Sequence, residues 1–112
     1  MKAIYSLVGL KFFDAEPIMR ELEPGTTLIL RRERANQSDV NAVAVYVSAW
    51  SSGEEIAIQV GYVGRGRKPD VPKYEPGDEN APLAARLNAM GDDAQLEGTL
   101  VAGWPPKIEV EE

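Results

Sequence analysis

Alternation of apolar and polar positions along this 112-residue chain predicts a mainly β structure built from short strands. The clearest strand is 41–48, where valines recur at every second position through Val43, Val45 and Val47. A turn at 51–54 is followed by a second apolar run at 56–63, so the two segments predict a hairpin. Four further segments are rich in β-forming residues and are predicted as strands: 4–13 with a bulge at Gly9, 26–32, 95–103 and 107–110.

Two segments have features typical of helices. Pro17–Leu22 predicts a short helix with Pro17 at its first position, because proline fixes a helical φ there and needs no N–H partner. Residues 83–90 carry apolar side chains at helical spacing, and Gly91 is suited to end the helix.

The intervening segment 64–82 is rich in proline, glycine and charge, which predicts an extended loop, with an insertion at about 66–82. The length fits a single domain over residues 1–112. About six short strands with one or two short helices predict a small closed or partly closed β-barrel.

The amino-acid composition excludes several kinds of catalytic and metal-binding site. The chain has no cysteine and no histidine, which excludes disulfides, thiolate zinc sites, histidine metal centres and a histidine general base. It has no Gly-x-x-x-x-Gly-Lys-Ser/Thr loop for nucleotide phosphates. The first residues do not resemble a signal peptide, and no run approaches the ~20 apolar residues of a membrane helix. We therefore expect a cytoplasmic protein without a membrane contact and without a cofactor or metal.

The net charge of −6 is unevenly distributed. Residues 1–73 hold 10 basic and 9 acidic side chains, whereas residues 74–112 hold 2 and 9. Coating nucleic acid by charge alone requires many cations, so any phosphate contacts are expected in the first two thirds. Two basic clusters lie there, Arg31–Arg34 and Arg65–Lys68, and each by itself is typical of a solvated strand end or loop.

Three segments, in this order, resemble the HIRAN domain family. Val8–Phe13 is similar to the family's opening strand of Val-Gly, a basic residue and two aromatics. Leu30–Val45 contains an Arg-acidic pair, an asparagine and then Asp-Val-Asn-Ala-Val, which resembles the family's most recognisable motif. Val60–Arg65 is similar to its Gly-(His/Tyr)-(Leu/Ile/Val) strand ending in basic residues, and the predicted 83–90 helix and 95–98 strand fall in the family's order.

This resemblance implies a variant OB-like β-barrel without catalytic activity. Family members occur mostly at the N-terminus of DNA-remodelling ATPases, and sometimes alone in bacteria and phages. The best-understood ones capture the 3′-hydroxyl end of single-stranded DNA. The expected partner is therefore DNA, in repair, replication or recombination.

Position by position, the resemblance implies a DNA-binding site of five residues. Phe12 would stack the last base and Lys11 would contact phosphate. Asp39 would accept the hydrogen bond of the terminal hydroxyl. Tyr62 and Arg65 would touch the DNA backbone, and a guanidinium can grip phosphate with two hydrogen bonds.

Structural roles compete with these assignments. One of Phe12 and Phe13 should face the core on an alternating strand, Asp39 could cap the turn before its strand, and Tyr62 could cover the barrel rim. Arg32 and Trp50 are interpreted as an ion-pairing residue and a packing residue.

The chain also departs from the DNA-binding members. Ser38 replaces a bulky residue before the key aspartate, Gly64 reduces a basic pair, and the late aromatic position falls on Ile108, although Trp104 lies close enough to substitute.

Three hypotheses for the function remain. The first is the DNA-end-binding module. The second is a protein-interaction module that uses the 66–82 loop or the acidic C-terminal third. The third and least favoured is a carboxylate-metal phosphohydrolase built on Asp39, for which only Glu33 lies near in sequence.

Overall fold

Antiparallel strand pairing organises the whole molecule. The computed structural model describes residues 1–36, 41–64 and 79–112. The predictions made for residues 37–40 and 65–78, including those for Ser38, Asp39, Arg65 and most of the proline-rich loop, lie outside these ranges. The strands are β1 Lys2–Val8, β2 Thr27–Arg32, β3 Val43–Ser51, β4 Glu54–Val63, β5 Gln95–Val101 and β6 Lys107–Glu111. A 3-10 helix spans Leu10–Phe13, and the α-helices are α1 Glu16–Glu21 and α2 Ala81–Met90.

The sheet closes on itself. Its strand order is β1-β4-β3-β2-β5-β6, and β1 also pairs with β6 over five residue pairs. The junction of β1 with β4 is the narrowest, with only Leu7 opposite Val63 and Val8 opposite Tyr62. The predicted mainly β fold, with six strands in a closed barrel and short helices, is confirmed.

The side chains that point inward at alternate positions of the strands fill the barrel and form the core. Val43 and Val45 of β3 are fully buried, as are Leu28 and Leu30 of β2. Helix α2 adds Leu83, Ala84 and Leu87 to the same cluster. Burial of apolar area contributes about 25 cal/mol per Å², so removing this interior from water stabilises the fold.

The predicted first strand, 4–13, is too long by five residues. Strand β1 ends at Val8, and Gly9 follows with φ of 78°, in the left-handed region that glycine adopts without strain. The chain then turns into the 3-10 helix, in which the Phe12 amide donates to the Gly9 carbonyl at 3.1 Å and Leu10 is buried. Gly9 therefore ends the strand and does not form a bulge within it.

Other boundaries shift less. Helix α1 begins at Glu16, which places Pro17 at its second position. Helix α2 begins at Ala81, so Pro82 belongs to the helix and not to the loop. Strand β5 ends at Val101, before the residues 102–106 that connect it to β6 and are here called the β5–β6 loop.

The β3–β4 hairpin extends beyond the barrel. β2 pairs with β3 only from Val43 to Tyr46, whereas β3 and β4 continue pairing to Ser51 and Glu54. Residues 48–57, here called the arm, are therefore a two-stranded ribbon. Ser52 and Gly53 close the arm with φ of 53° and 80°, the positive values of the turns favoured in two-residue hairpins.

The arm carries an exposed tryptophan. Trp50 is 76% exposed, so its interpretation as a packing residue is wrong. The reason is that neither β2 nor β1 accompanies the hairpin to this point, which leaves the indole without a neighbouring layer.

Candidate nucleic-acid interface

Two adjacent phenylalanines separate at the turn after β1. Phe12 is 89% exposed, whereas Phe13 is half-buried and packs against the core. The expectation that one ring of the pair faces inward is therefore confirmed, although a 3-10 helix and not a strand produces the separation. Because Leu10 anchors the same short turn in the core, Phe12 is held outward on a fixed support.

A concavity of about 350 Å³ lies beside the exposed ring. We call it the Phe12 pocket. Lys11, Phe12, Glu16 and Trp104 line it together with the end of β1 and the prolines of the β5–β6 loop. A ring, an ammonium group and a second aromatic side chain thus meet around one opening.

Tyr62 adjoins this surface from β4. A β-carbon built on Gly9 would lie 3.5 Å from Cδ2 of Tyr62 and 3.9 Å from Cδ2 of Phe12, so the two rings flank the glycine. The Tyr62 ring also contacts Phe13 with centroids 5.8 Å apart at 52°. We call the surface formed by Lys11, Phe12, Tyr62 and Trp104 around Gly9 the aromatic end.

A carboxylate fixes the orientation of Tyr62. The Tyr62 hydroxyl donates to Glu33, with 2.8 Å to each carboxylate oxygen. Glu33 also accepts from Asn36 Nδ2 at 3.2 Å and from Gln59 Nε2 at 3.5 Å. Burial and the hydrogen bond to Glu33 raise the pKa of Tyr62 above its usual 10.0. Its proton is already directed to Glu33, so Tyr62 offers its ring to the aromatic end and not a free donor.

The structure brings together three of the five expected site residues. Lys11, Phe12 and Tyr62 lie around Gly9. Asp39 and Arg65 lie outside the described residues, and their roles stay predictions. Gly64, the residue before Arg65, is the last described residue after β4, and its amide donates to the Ser6 carbonyl at 2.7 Å.

Counting along the sequence and the structure point to different residues for the family's late aromatic position. Ile108, which counting assigns to it, is fully buried and contacts the interior of the barrel. Trp104, named as its substitute, is 42% exposed and lines the Phe12 pocket.

Sequence reasoning missed two further residues at this end. Glu16 of α1 lines the Phe12 pocket, and the Arg20 guanidinium stacks on Trp104 with its carbon 3.8 Å from the ring centroid. No sequence signal links Arg20 to a tryptophan 84 positions away, because only the closure of the barrel brings α1 against the β5–β6 loop.

Arg32 makes structural contacts. Its Nη1 donates to the Ala42 carbonyl at 2.5 Å and its Nε to Asn88 Oδ1 at 3.0 Å. These bonds tie the end of β2 to the start of β3 and to α2, so Arg32 supports the barrel.

Within 1–36, 41–64 and 79–112, no three histidine, cysteine, aspartate or glutamate side chains lie close enough together to hold a metal ion. No helix in the same ranges has the length and apolarity to span a membrane.

The closed six-stranded ring with two short α-helices defines a small β-barrel domain. A profile of the HIRAN domain matches residues 2–69, more than half of the chain, and the protein belongs to the HIRAN domain family. The match covers β1 to β4, including the Gly9 turn, and ends before α2. Comparison with curated proteins and with solved structures gives no match.

Proposed function

We propose that this HIRAN domain is a DNA-binding module that holds the 3′-hydroxyl end of a single strand. The observation that carries the proposal is the outward Phe12 ring beside a concavity that also contains Lys11 and Trp104. HIRAN domains are known DNA-end-binding modules, and membership of the family supports the same conclusion.

The energetics favour a base on Phe12. Stacking a base on an aromatic side chain contributes about 1–3 kcal/mol. An exposed ring on a mobile loop would lose part of this gain to ordering, whereas the 3-10 helix and buried Leu10 already fix the support of Phe12. The ring is therefore pre-organised for a terminal base.

Charge at the pocket favours a hydroxyl end over a phosphorylated one. Lys11 supplies a cation for the last internucleotide phosphate, and Arg65 is proposed to add a second. Asp39 is proposed as the acceptor for the terminal hydroxyl, and a carboxylate accepts such a bond but repels a terminal phosphate. Glu16, which lines the same pocket, adds to that repulsion.

The test compares single-stranded oligonucleotides that end in 3′-hydroxyl or 3′-phosphate, titrated at low salt by fluorescence anisotropy. We expect the 3′-hydroxyl strand to bind more tightly. Phe12→Ala should weaken its binding roughly fivefold to 150-fold, which corresponds to one lost base stack. Asp39→Asn should reduce the preference for the hydroxyl end.

Trp50→Ala is the matched control, because it also removes an exposed aromatic ring. Trp50 lies opposite Glu55 on the arm, and Glu55 is about 23 Å along β4 from Tyr62 at the usual rise per residue. Equal binding of both oligonucleotides, unchanged by Phe12→Ala, would overturn the proposal.

A protein-interaction module is the second candidate, and the exposed Trp50 of the arm favours it. It predicts no oligonucleotide binding at low salt and specific retention of a protein partner that Trp50→Ala abolishes. The 66–82 loop and the acidic C-terminal third are the other surfaces proposed for such a partner.

A further inference from the structure

Trp104 separates two concavities. One is the Phe12 pocket, and the other, of about 250 Å³, lies between α1 and the β5–β6 loop. The second concavity is lined by Arg20, Leu22 and Pro24 on one side and by the β5–β6 loop on the other. Trp104 and Pro106 line both, so the two concavities adjoin at this indole.

Trp104 holds the Arg20 guanidinium in an arrangement that can bind an anion. Its guanidinium lies 3.8 Å from the centre of the Trp104 ring, which engages the flat face of the group. The N–H donors of a guanidinium point outward in its plane, and stacking leaves them available. Within the part of the chain that the structure describes, no hydrogen bond or ion pair uses these donors. A stacked arginine loses little further side-chain entropy when it binds phosphate.

We propose that the bound strand continues from the Phe12 pocket past Trp104, where a second base stacks on the ring face that Arg20 does not cover, and that Arg20 holds a phosphate upstream of the end. This extended contact rests on the proposed function of the Phe12 pocket. Proteins that bind single strands combine aromatic side chains, on which bases stack, with cations that contact phosphates. Trp104 followed by Arg20 provides the same combination. The side chains beside Arg20, Leu22, Pro24 and Pro106, are uncharged, and among the described residues that line this concavity only Arg20 carries a charge to meet a phosphate.

The experiment compares Arg20→Gln with the native protein on two ligands that end in 3′-hydroxyl: a dinucleotide and an oligonucleotide of about eight residues. The dinucleotide has one internucleotide phosphate, which the proposed site assigns to Lys11. Lys2→Gln is the matched control, since it also removes one positive charge. Lys2 lies at the far end of β1, about 20 Å from Val8 at the usual rise per residue.

We expect Arg20→Gln to leave dinucleotide affinity unchanged and to weaken binding of the longer strand. It should also lower the slope of log affinity against log salt by about 0.7, the value for one phosphate contact on a single strand. Lys2→Gln should change neither quantity. Trp104→Leu should likewise weaken the longer strand, and Arg20→Lys should restore the salt slope without the full affinity.

The outcomes separate the two proposals. If dinucleotide binding depends on Phe12 and on the 3′-hydroxyl but Arg20→Gln behaves like Lys2→Gln, the extension is wrong and the end-binding site stands. If neither ligand binds the native protein, both proposals fail.

Discussion

The aromatic end and the arm each present an exposed ring, yet their surroundings differ. Phe12 is 89% exposed on a turn anchored by buried Leu10, beside a concavity that also contains Lys11 and Trp104. Trp50 is 76% exposed on a two-stranded ribbon, directly opposite Glu55.

Charge is the main difference. Residues 43–64 contain no lysine or arginine, and their two charged residues are Glu54 and Glu55 at the tip of the arm. The Ser48 hydroxyl donates to the Glu55 carboxylate, so the face around Trp50 is neutral to acidic. We therefore propose the aromatic end, and not the arm, as the nucleic-acid surface. The combination of a ring, a neighbouring cation and a concavity distinguishes the aromatic end.

The largest expected effect concerns the scaffold of the aromatic end. A β-carbon at Gly61 would collide with the backbone carbonyl of Val8, at the narrow junction of β1 and β4. Because backbone cannot yield as a side chain does, Gly61→Ala should lower the free energy of unfolding by about 3 kcal/mol. Urea denaturation measures the change.

Gly53→Ala at the tip of the arm is the control for this substitution. Nothing lies within 4 Å of its β-carbon, but φ is 80°, so strain alone should cost about 1 kcal/mol. Equal losses at the two positions would show that the junction is not tightly packed.

A smaller effect should follow from removing the Tyr62 hydroxyl. Tyr62→Phe deletes the donor closest to Glu33 and keeps the ring, so stability should fall by about 1 kcal/mol while DNA affinity is retained. Tyr46→Phe is the control, because the hydroxyl of Tyr46 has no hydrogen bond within the described residues. A loss of DNA affinity as large as that of Phe12→Ala would instead assign the hydroxyl to DNA.

Ionisation of Tyr62 should reduce the stability of the protein at alkaline pH. Its pKa in the folded protein is raised above 10.0 by burial first and then by Glu33, so folding favours the neutral phenol. This contribution is complete below pH 10 and is lost as pH rises through the raised pKa. The native protein should therefore lose more unfolding free energy than Tyr62→Phe across that interval. Tyr5, whose pKa is also raised, is common to both proteins and cancels.

The smallest effect is expected at the arm. Trp50→Ala should change the free energy of unfolding by no more than about 0.5 kcal/mol, since the ring is mostly in solvent. It should leave oligonucleotide affinity unchanged. A reduction comparable to that of Phe12→Ala would remove the distinction between the two regions.

The strands were predictable because their pattern reflects burial. Val43, Val45 and Val47 alternate in the sequence and are buried in the barrel. The end of β1 was not predictable from the same pattern. Residues 10–13 have the composition of a strand, and only the left-handed backbone of Gly9 ends it.

The family resemblance supplied Tyr62 and the substitute Trp104, whereas the residues alone made the candidate site predictable only where neighbours in sequence are neighbours in space. Lys11 and Phe12 satisfy this condition, and they line one pocket. The Arg20–Trp104 stack and the Tyr62–Glu33 bond join positions far apart in the chain, so a single sequence carries no sign of them. The prediction that Trp50 is a packing residue was wrong because nothing in its local sequence indicates that the β3–β4 hairpin extends beyond the neighbouring strands.

The most direct measurement uses the two tryptophans, one in each region. In a heteronuclear NMR titration, their indole N–H signals report separately on Trp104 and Trp50. With a short single strand ending in 3′-hydroxyl, we expect the Trp104 signal and the amides of 9–12 to shift, the Trp50 signal to stay in place, and a 3′-phosphate strand to give much smaller shifts. Shifts at Trp50 without shifts at Trp104, or equal responses to the two strands, would contradict the assignment of the aromatic end to a DNA terminus.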